Sequence, residues 1–92
     1  MKYFVDFSDE AKEDVRKLRK SGDKQALKKL DRLLVELENH PTTGTGKPER
    51  MKHRLGDVWS RRITDKHRLV YEIFEEVVLV EIFGAYGHYN DK

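Results

Sequence analysis

The chain has no cysteine, which excludes disulfide staples and thiolate metal sites. Its four histidines (His40, His53, His67 and His88) show no i,i+4 pairing and no accompanying carboxylate cluster. No resident metal or other cofactor is therefore expected. Apolar runs are short. None approaches the ~20 residues that span a bilayer, and residues 1–20 lack a signal-peptide core, so the expectation is a soluble, cytoplasmic protein without a membrane partner. Proline occurs twice, at Pro41 and Pro48, and the two bracket a Thr/Gly-rich loop. The last scarcity is of acid, and it is local. Between Lys47 and Arg68 only Glu49, Asp57 and Asp65 oppose eight Lys or Arg residues. The first forty residues are nearly balanced, ten bases against nine acids, and residues 69–92 carry one base against five acids. The net charge of +2 thus conceals a basic middle segment suited to an anionic partner.

At 92 residues the chain is long enough for one core, so a single domain over residues 1–92 is expected. It is polar, 37% hydrophobic and 39% charged, but its apolar residues are patterned as in a folded protein. Lys2–Phe7 reads as a strand. Ser8 is an N-cap, Asp9 and Glu10 suit a helix start, and Ala11, Val15 and Leu18 keep helical spacing until Ser21-Gly22. Asp23 caps a second, longer helix whose face runs Leu27, Leu30, Leu33, Leu34 and Leu37 and which ends before Pro41. From Arg50 the period becomes two. Arg50–Leu55, Val58–Thr64, His67–Phe74 and Val77–Phe83 read as strands, with Gly56-Asp57 and Glu75-Glu76 as the tight connections. The expected fold is α+β, in the order β-α-α-β-β-β-β: a small antiparallel sheet with a helical hairpin on one face.

Side chains alternate across a strand, so parity sorts the basic residues. Leu69, Tyr71, Ile73, Val78, Val80 and Ile82 fit the helix-covered face, and Met51, His53, Leu55, Trp59 and Ile63 fit with them. The opposite, open face then displays Lys52, Arg54, Ser60, Arg62, Arg68, Val70 and Glu72. Arg61 falls on the covered parity and is a weaker candidate for binding. Clustered like charges cost stability, so Lys52, Arg54, Arg62 and Arg68 on one face suggest an anion site. Glu49 is the only acid within Lys47–Arg54, and flanking cations favour its ionised, proton-accepting form. It could equally balance Lys52 or Arg68. His88, after the flexible Gly84 and Gly87, has the chemistry of a proton donor, or is merely exposed. A base, an acid and fixed cations together suit metal-independent RNA cleavage.

Gly44-Thr-Gly-Lys-Pro-Glu49, Lys52-His53, Trp59-Ser-Arg-Arg-Ile-Thr64, His67-Arg-Leu-Val-Tyr71 and His88-Tyr89 closely resemble the Txe/YoeB toxins of the RelE/ParE superfamily. The resemblance implies a RelE-like fold and a messenger-RNA endonuclease acting in the ribosomal A site. It also implies neutralisation by a cognate antitoxin, contact with operator DNA only through the toxin–antitoxin complex, and a possible homodimer. Carried over by motif, Glu49 matches the general base, Arg68 the transition-state arginine and His88 the general acid. Lys52 and Arg62 match phosphate-binding positions, and Tyr89 the tyrosine that completes the site. Arg54 joins the substrate-binding set from its place on the open face. The chain departs from its relatives at Arg50-Met51, in the Leu55-Gly-Asp-Val-Trp59 hairpin, at Tyr86-Gly87 before His88, and in its Asn90-Asp91-Lys92 tail. A different class of function remains on the same scaffold: a non-catalytic, ParE-like gyrase poison or a nucleic-acid-binding module.

Overall fold

Two side-chain caps start the helices. The Ser8 hydroxyl accepts from the Ala11 N–H at 3.1 Å and the Asp23 carboxylate from the Ala26 N–H at 3.0 Å. Each satisfies one of the donors a helix leaves orphaned at its first turn. The computed structural model, which describes residues 2–87, accordingly has α1 at Asp9–Lys20 and α2 at Lys24–Asn39. The strands are β1 (Phe4–Phe7), β2 (Glu49–Arg50), β3 (Val58–Arg62), β4 (Arg68–Phe74) and β5 (Leu79–Gly84). They form one sheet in the order β1-β5-β4-β3-β2. Three of the pairings are antiparallel, and β1 lies parallel to β5. The expected α+β architecture is present, with one parallel pair in an otherwise antiparallel sheet.

The helical hairpin buries one face. Ala11 and Leu18 of α1, with Ala26, Leu30, Leu33 and Leu37 of α2, pack on Ile63, Leu69, Tyr71, Ile73, Val80 and Ile82. Trp59 packs against this cluster, as its parity required. Two expectations about faces fail. Val78 is not in the core: it caps a 3₁₀ turn, Glu75–Val77, in the left-handed conformation (φ 53°). The last strand therefore begins at Leu79 and not at Val77. The rare backbone is used because the chain must reverse within the turn that joins β4 to β5.

The second failure matters more. Arg50–Leu55 is not a strand, and Gly56-Asp57 is not a two-residue hairpin. Pairing between β2 and β3 ends at Arg50 opposite Trp59, and residues 51–57 form a loop. Met51 turns to the face opposite the helices, where it is buried with Val58 and Val70 and packed by Phe83. Leu55 is 97% exposed, and His53 is exposed as well. A β-bulge explains part of this second cluster. Val70 pairs with Gly84 but Tyr71 with Ile82, so Phe83 is the extra residue on β5. The uncovered face thus carries a small apolar floor of its own, and Met51 must leave strand geometry to cover it.

Candidate functional site

Register determines which side chains share that floor. Glu49 lies opposite Ser60, and Ser60 opposite Val70; Arg62 lies opposite Arg68. Directly opposed residues point to the same face, so Glu49, Arg62 and Arg68 all rise from the side away from the helices. Arg62 is the diagonal neighbour of Glu49, about 7–8 Å away. Glu49 and Arg68 are two strands and two residues apart, roughly 12 Å along the backbone at usual sheet spacings. Opposing two guanidinium groups across a strand pair is unfavourable for folding alone. Asp65 relieves it weakly, with Oδ1 3.8 Å from Arg62 Nη1 and 97% exposed.

The loop 51–57 forms one rim. Arg54 Cζ lies 5.7 Å from the centroid of the Phe83 ring, which brings its charge onto the uncovered face through a cation–π contact. Lys52 is exposed on the same loop. Asp57 secures the loop's end, accepting from Trp59 Nε1 at 2.8 Å and Arg50 Nε at 3.1 Å. The other rim is the chain's exit. The Gly87 carbonyl accepts from the Arg68 N–H at 3.0 Å, so the backbone reaches residue 87 beside Arg68. His88 and Tyr89 lie outside the described residues. Of the seven sequence-derived candidates, Glu49, Arg62, Arg68 and Arg54 share this face, and Lys52 stands on its rim loop.

The loop that precedes Glu49 is tied to the core by Arg61, whose covered-face parity made it a weaker candidate for binding. Arg61 is wholly buried and uses all five of its N–H donors. Nε donates to the Tyr71 hydroxyl (3.0 Å), Nη1 to Glu36 Oε1 (2.6 Å) and the Thr45 carbonyl (3.3 Å). Nη2 donates to the carbonyls of His40 (2.8 Å) and Thr43 (2.7 Å). The Tyr71 hydroxyl in turn donates a hydrogen bond to the Pro41 carbonyl at 2.6 Å. The loop from Pro41 to Thr45 is thereby tied to the core through its carbonyls. Gly46 lies so close to β3 that a Cβ would meet the Arg62 carbonyl oxygen at 2.8 Å, and its φ is +83°. Only glycine permits both the conformation and the approach. Glu49 follows three residues later.

Glu36, partly covered with 15% of its side chain exposed, is the counter-charge. Burial works to raise its carboxyl, but the hydroxyl and N–H of Thr45 and the Arg61 guanidinium outweigh that and hold it below the usual carboxylate range. Burial raises the Tyr71 hydroxyl above the ordinary tyrosine value, against the opposing pull of Arg61. A charged residue on the covered parity signals a paired arginine. The pairing itself, across 25 residues, has no signal in the sequence. Among the described residues no three His, Cys, Asp or Glu side chains converge as a metal site.

Residues 7–89 match the family model described as the YoeB-like toxin of bacterial type II toxin–antitoxin systems. The chain is 45% identical to Toxin YoeB of Escherichia coli (strain K12) over 58 residues, 63% of this chain and 69% of that one. The solved YoeB dimer from Staphylococcus aureus superposes with a TM-score of 0.80 at 34% identity, covering 97% of this chain and 100% of the other. The heterotetrameric YoeB-YefM toxin–antitoxin complex from the same organism gives 0.76 at 33% identity, again covering 97% and 100%.

Proposed function

This chain belongs to the YoeB-like toxin family of bacterial type II toxin–antitoxin systems, and from that premise we propose that it is a ribosome-dependent messenger-RNA endonuclease. The observation that carries the proposal is the shared face of Glu49, Arg62 and Arg68, fixed by the register of β2, β3 and β4. A surface that only bound anions would need the guanidinium groups but not a carboxylate set among them.

The reaction needs no group from outside the chain and its RNA. The Glu49 carboxylate removes the proton from a ribose 2′-hydroxyl, and the 2′-oxygen attacks the adjacent phosphorus. Arg68 stabilises the charge that develops on the non-bridging oxygens. The bond from phosphorus to the 5′-oxygen breaks, and that oxygen takes its proton from His88. The products are a 2′,3′-cyclic phosphate and a 5′-hydroxyl. Lys52, Arg62 and Arg54 hold flanking phosphates, and Tyr89 completes the site. Proton transfer of this kind contributes about 10²–10⁴-fold per group, and preorganised cations at the developing charge contribute comparably or more.

The partners follow the same reading. A cognate antitoxin occludes the cationic face, as suits a chain whose relative from Staphylococcus aureus was solved as a YoeB-YefM complex. Operator DNA is reached only through that complex. A homodimer fits the relative solved as a YoeB dimer. The test is induction in cells with mapping of RNA 5′ ends. Glu49→Gln and Arg68→Ala are each expected to lower cleavage at least about 10²-fold without lowering the melting temperature. Full cleavage by both variants, or arrest of growth with intact RNA and altered DNA supercoiling, would remove the nuclease reading.

A further inference from the structure

Tyr86 and Gly87 are where the chain leaves the sheet, and they are held by more than packing. Ala85 is tied to α1, its N–H donating to Asp14 Oδ2 at 3.0 Å. The Tyr86 ring stacks on the His67 ring with centroids 4.3 Å apart and planes inclined by 30°. Lys17 Nζ of α1 lies 5.6 Å from the Tyr86 ring centroid. Gly87 then makes two backbone bonds. Its N–H donates to His67 Nδ1 at 2.8 Å, and its carbonyl accepts from the Arg68 N–H at 3.0 Å. Its φ of +90° is open to glycine and costly for other residues.

The first of these bonds sets the role of one ring nitrogen. A backbone N–H can only donate, so Nδ1 of His67 is its acceptor. His67 is itself anchored in the turn between β3 and β4. Its N–H donates to Thr64 Oγ1 at 3.2 Å, and its carbonyl accepts from Ile63 and Thr64 at 2.9 and 3.1 Å. An acceptor on a fixed turn is thus aimed at the Gly87 amide, and the next residue in the sequence is His88.

We infer that His67 is a positioning residue for cleavage: through its Nδ1 it fixes Gly87 beside Arg68, and so fixes the point from which the chain continues to His88. It touches neither the RNA nor the reacting atoms. The inference rests on the reading of His88 as the general acid. It accounts for the Tyr86-Gly87 pair of this chain as a support: the tyrosine stacks on His67, and the glycine offers both of its backbone groups to residues 67 and 68.

Two substitutions separate the acceptor from the ring. His67→Phe keeps a flat ring for Tyr86 and removes the acceptor. His67→Asn removes the ring and keeps an oxygen at the reach of Nδ1. In ribosome-programmed cleavage, His67→Phe is expected to lower kcat about 10–100-fold with KM within about twofold, the cost of a small misplacement of a catalytic group. His67→Asn is expected to stay within about threefold of the parent. Amide exchange gives a readout independent of RNA: Gly87 is protected in the parent and in His67→Asn but not in His67→Phe. Unchanged kcat in His67→Phe, unchanged Gly87 protection there, or equal loss of kcat in both variants would overturn the inference. Failure of the underlying nuclease reading looks different, since Glu49→Gln would then cleave at the parent rate whatever the Gly87 amide does.

Discussion

Arg61 and Arg62 are neighbours in the chain and do opposite things. Strand parity sends Arg62 to the uncovered face, where it stands opposite Arg68 in the pairing register. It sends Arg61 into the core, where every N–H finds an oxygen. Arg61→Ala would leave Glu36 with only the exposed and more distant Arg32 as a counter-charge, and three loop carbonyls without their buried donor. The expected cost is at least about 3 kcal/mol, or a fall in melting temperature of roughly 12 °C or more for a domain of this size. Arg61→Lys should recover little, because one ammonium cannot reproduce a five-donor fork. Thermal unfolding monitored by circular dichroism reads both. The contrast with Glu49→Gln, which should unfold at the parent temperature, separates residues that build the site from those that act in it.

Glu36 adds a pH dependence whose sign is fixed. Its folded-state carboxyl lies below the usual range, so the stability it contributes is fully present above the ordinary carboxylate value, about 4.3. That stability is lost as pH falls from there through the lowered folded value. Glu36→Gln is therefore expected to flatten the acid limb of a stability-against-pH curve while lowering the plateau near neutrality. An acid limb as steep as the parent's would show that other carboxylates govern it.

Helices and loops differ in how much of them the sequence reveals. Ser8 and Asp23 announce the helix starts because a cap is a local device, decided within three residues. The faces of β4 and β5 are equally legible, since alternation of period two survives wherever one side is buried. Arg50–Leu55 alternates just as well and is still a loop. What decides there is non-local: the bulge at Phe83 and the buried Val58 and Val70 create an apolar floor that Met51 covers. The 3₁₀ turn after β4 has a similar cause, chain reversal, and leaves a β-branched residue at φ 53°. Val78→Asn should relieve that strain and stabilise the protein by up to about 1 kcal/mol, read as a rise in denaturation midpoint at unchanged slope. A fall in midpoint would mean that the valine's packing outweighs its backbone cost.

Across the whole molecule, charge is sorted along one face of the sheet. Arg62 and Arg68 stand at one end with Arg54 over Phe83, while Asp6, Glu81 and Glu72 form a row across β1, β5 and β4 nearer the other. This sorting follows from composition by segment, and so the cationic end of the face was legible before any coordinates. The placement of Glu49 on that face was not, because it depends on a pairing register that no local pattern specifies. If Lys52, Arg54, Arg62 and Arg68 each neutralise a phosphate, binding of single-stranded RNA by the Glu49→Gln protein should show a log–log salt slope of roughly −2.8. Arg54→Ala should reduce its magnitude by about 0.7. A slope indifferent to Arg54 would take that side chain out of the interface.

The central claim is that one ribose hydroxyl is the nucleophile and Glu49 its base. The most direct measurement is cleavage of a translated messenger RNA carrying a single 2′-deoxy nucleotide on the 5′ side of the scissile bond, with analysis of the product ends. Expected is no cut at that linkage, and in the all-ribose control an upstream fragment ending in a 2′,3′-cyclic phosphate beside a downstream 5′-hydroxyl. Cleavage of the deoxy-substituted linkage at the control rate, leaving a 5′-phosphate, would contradict it.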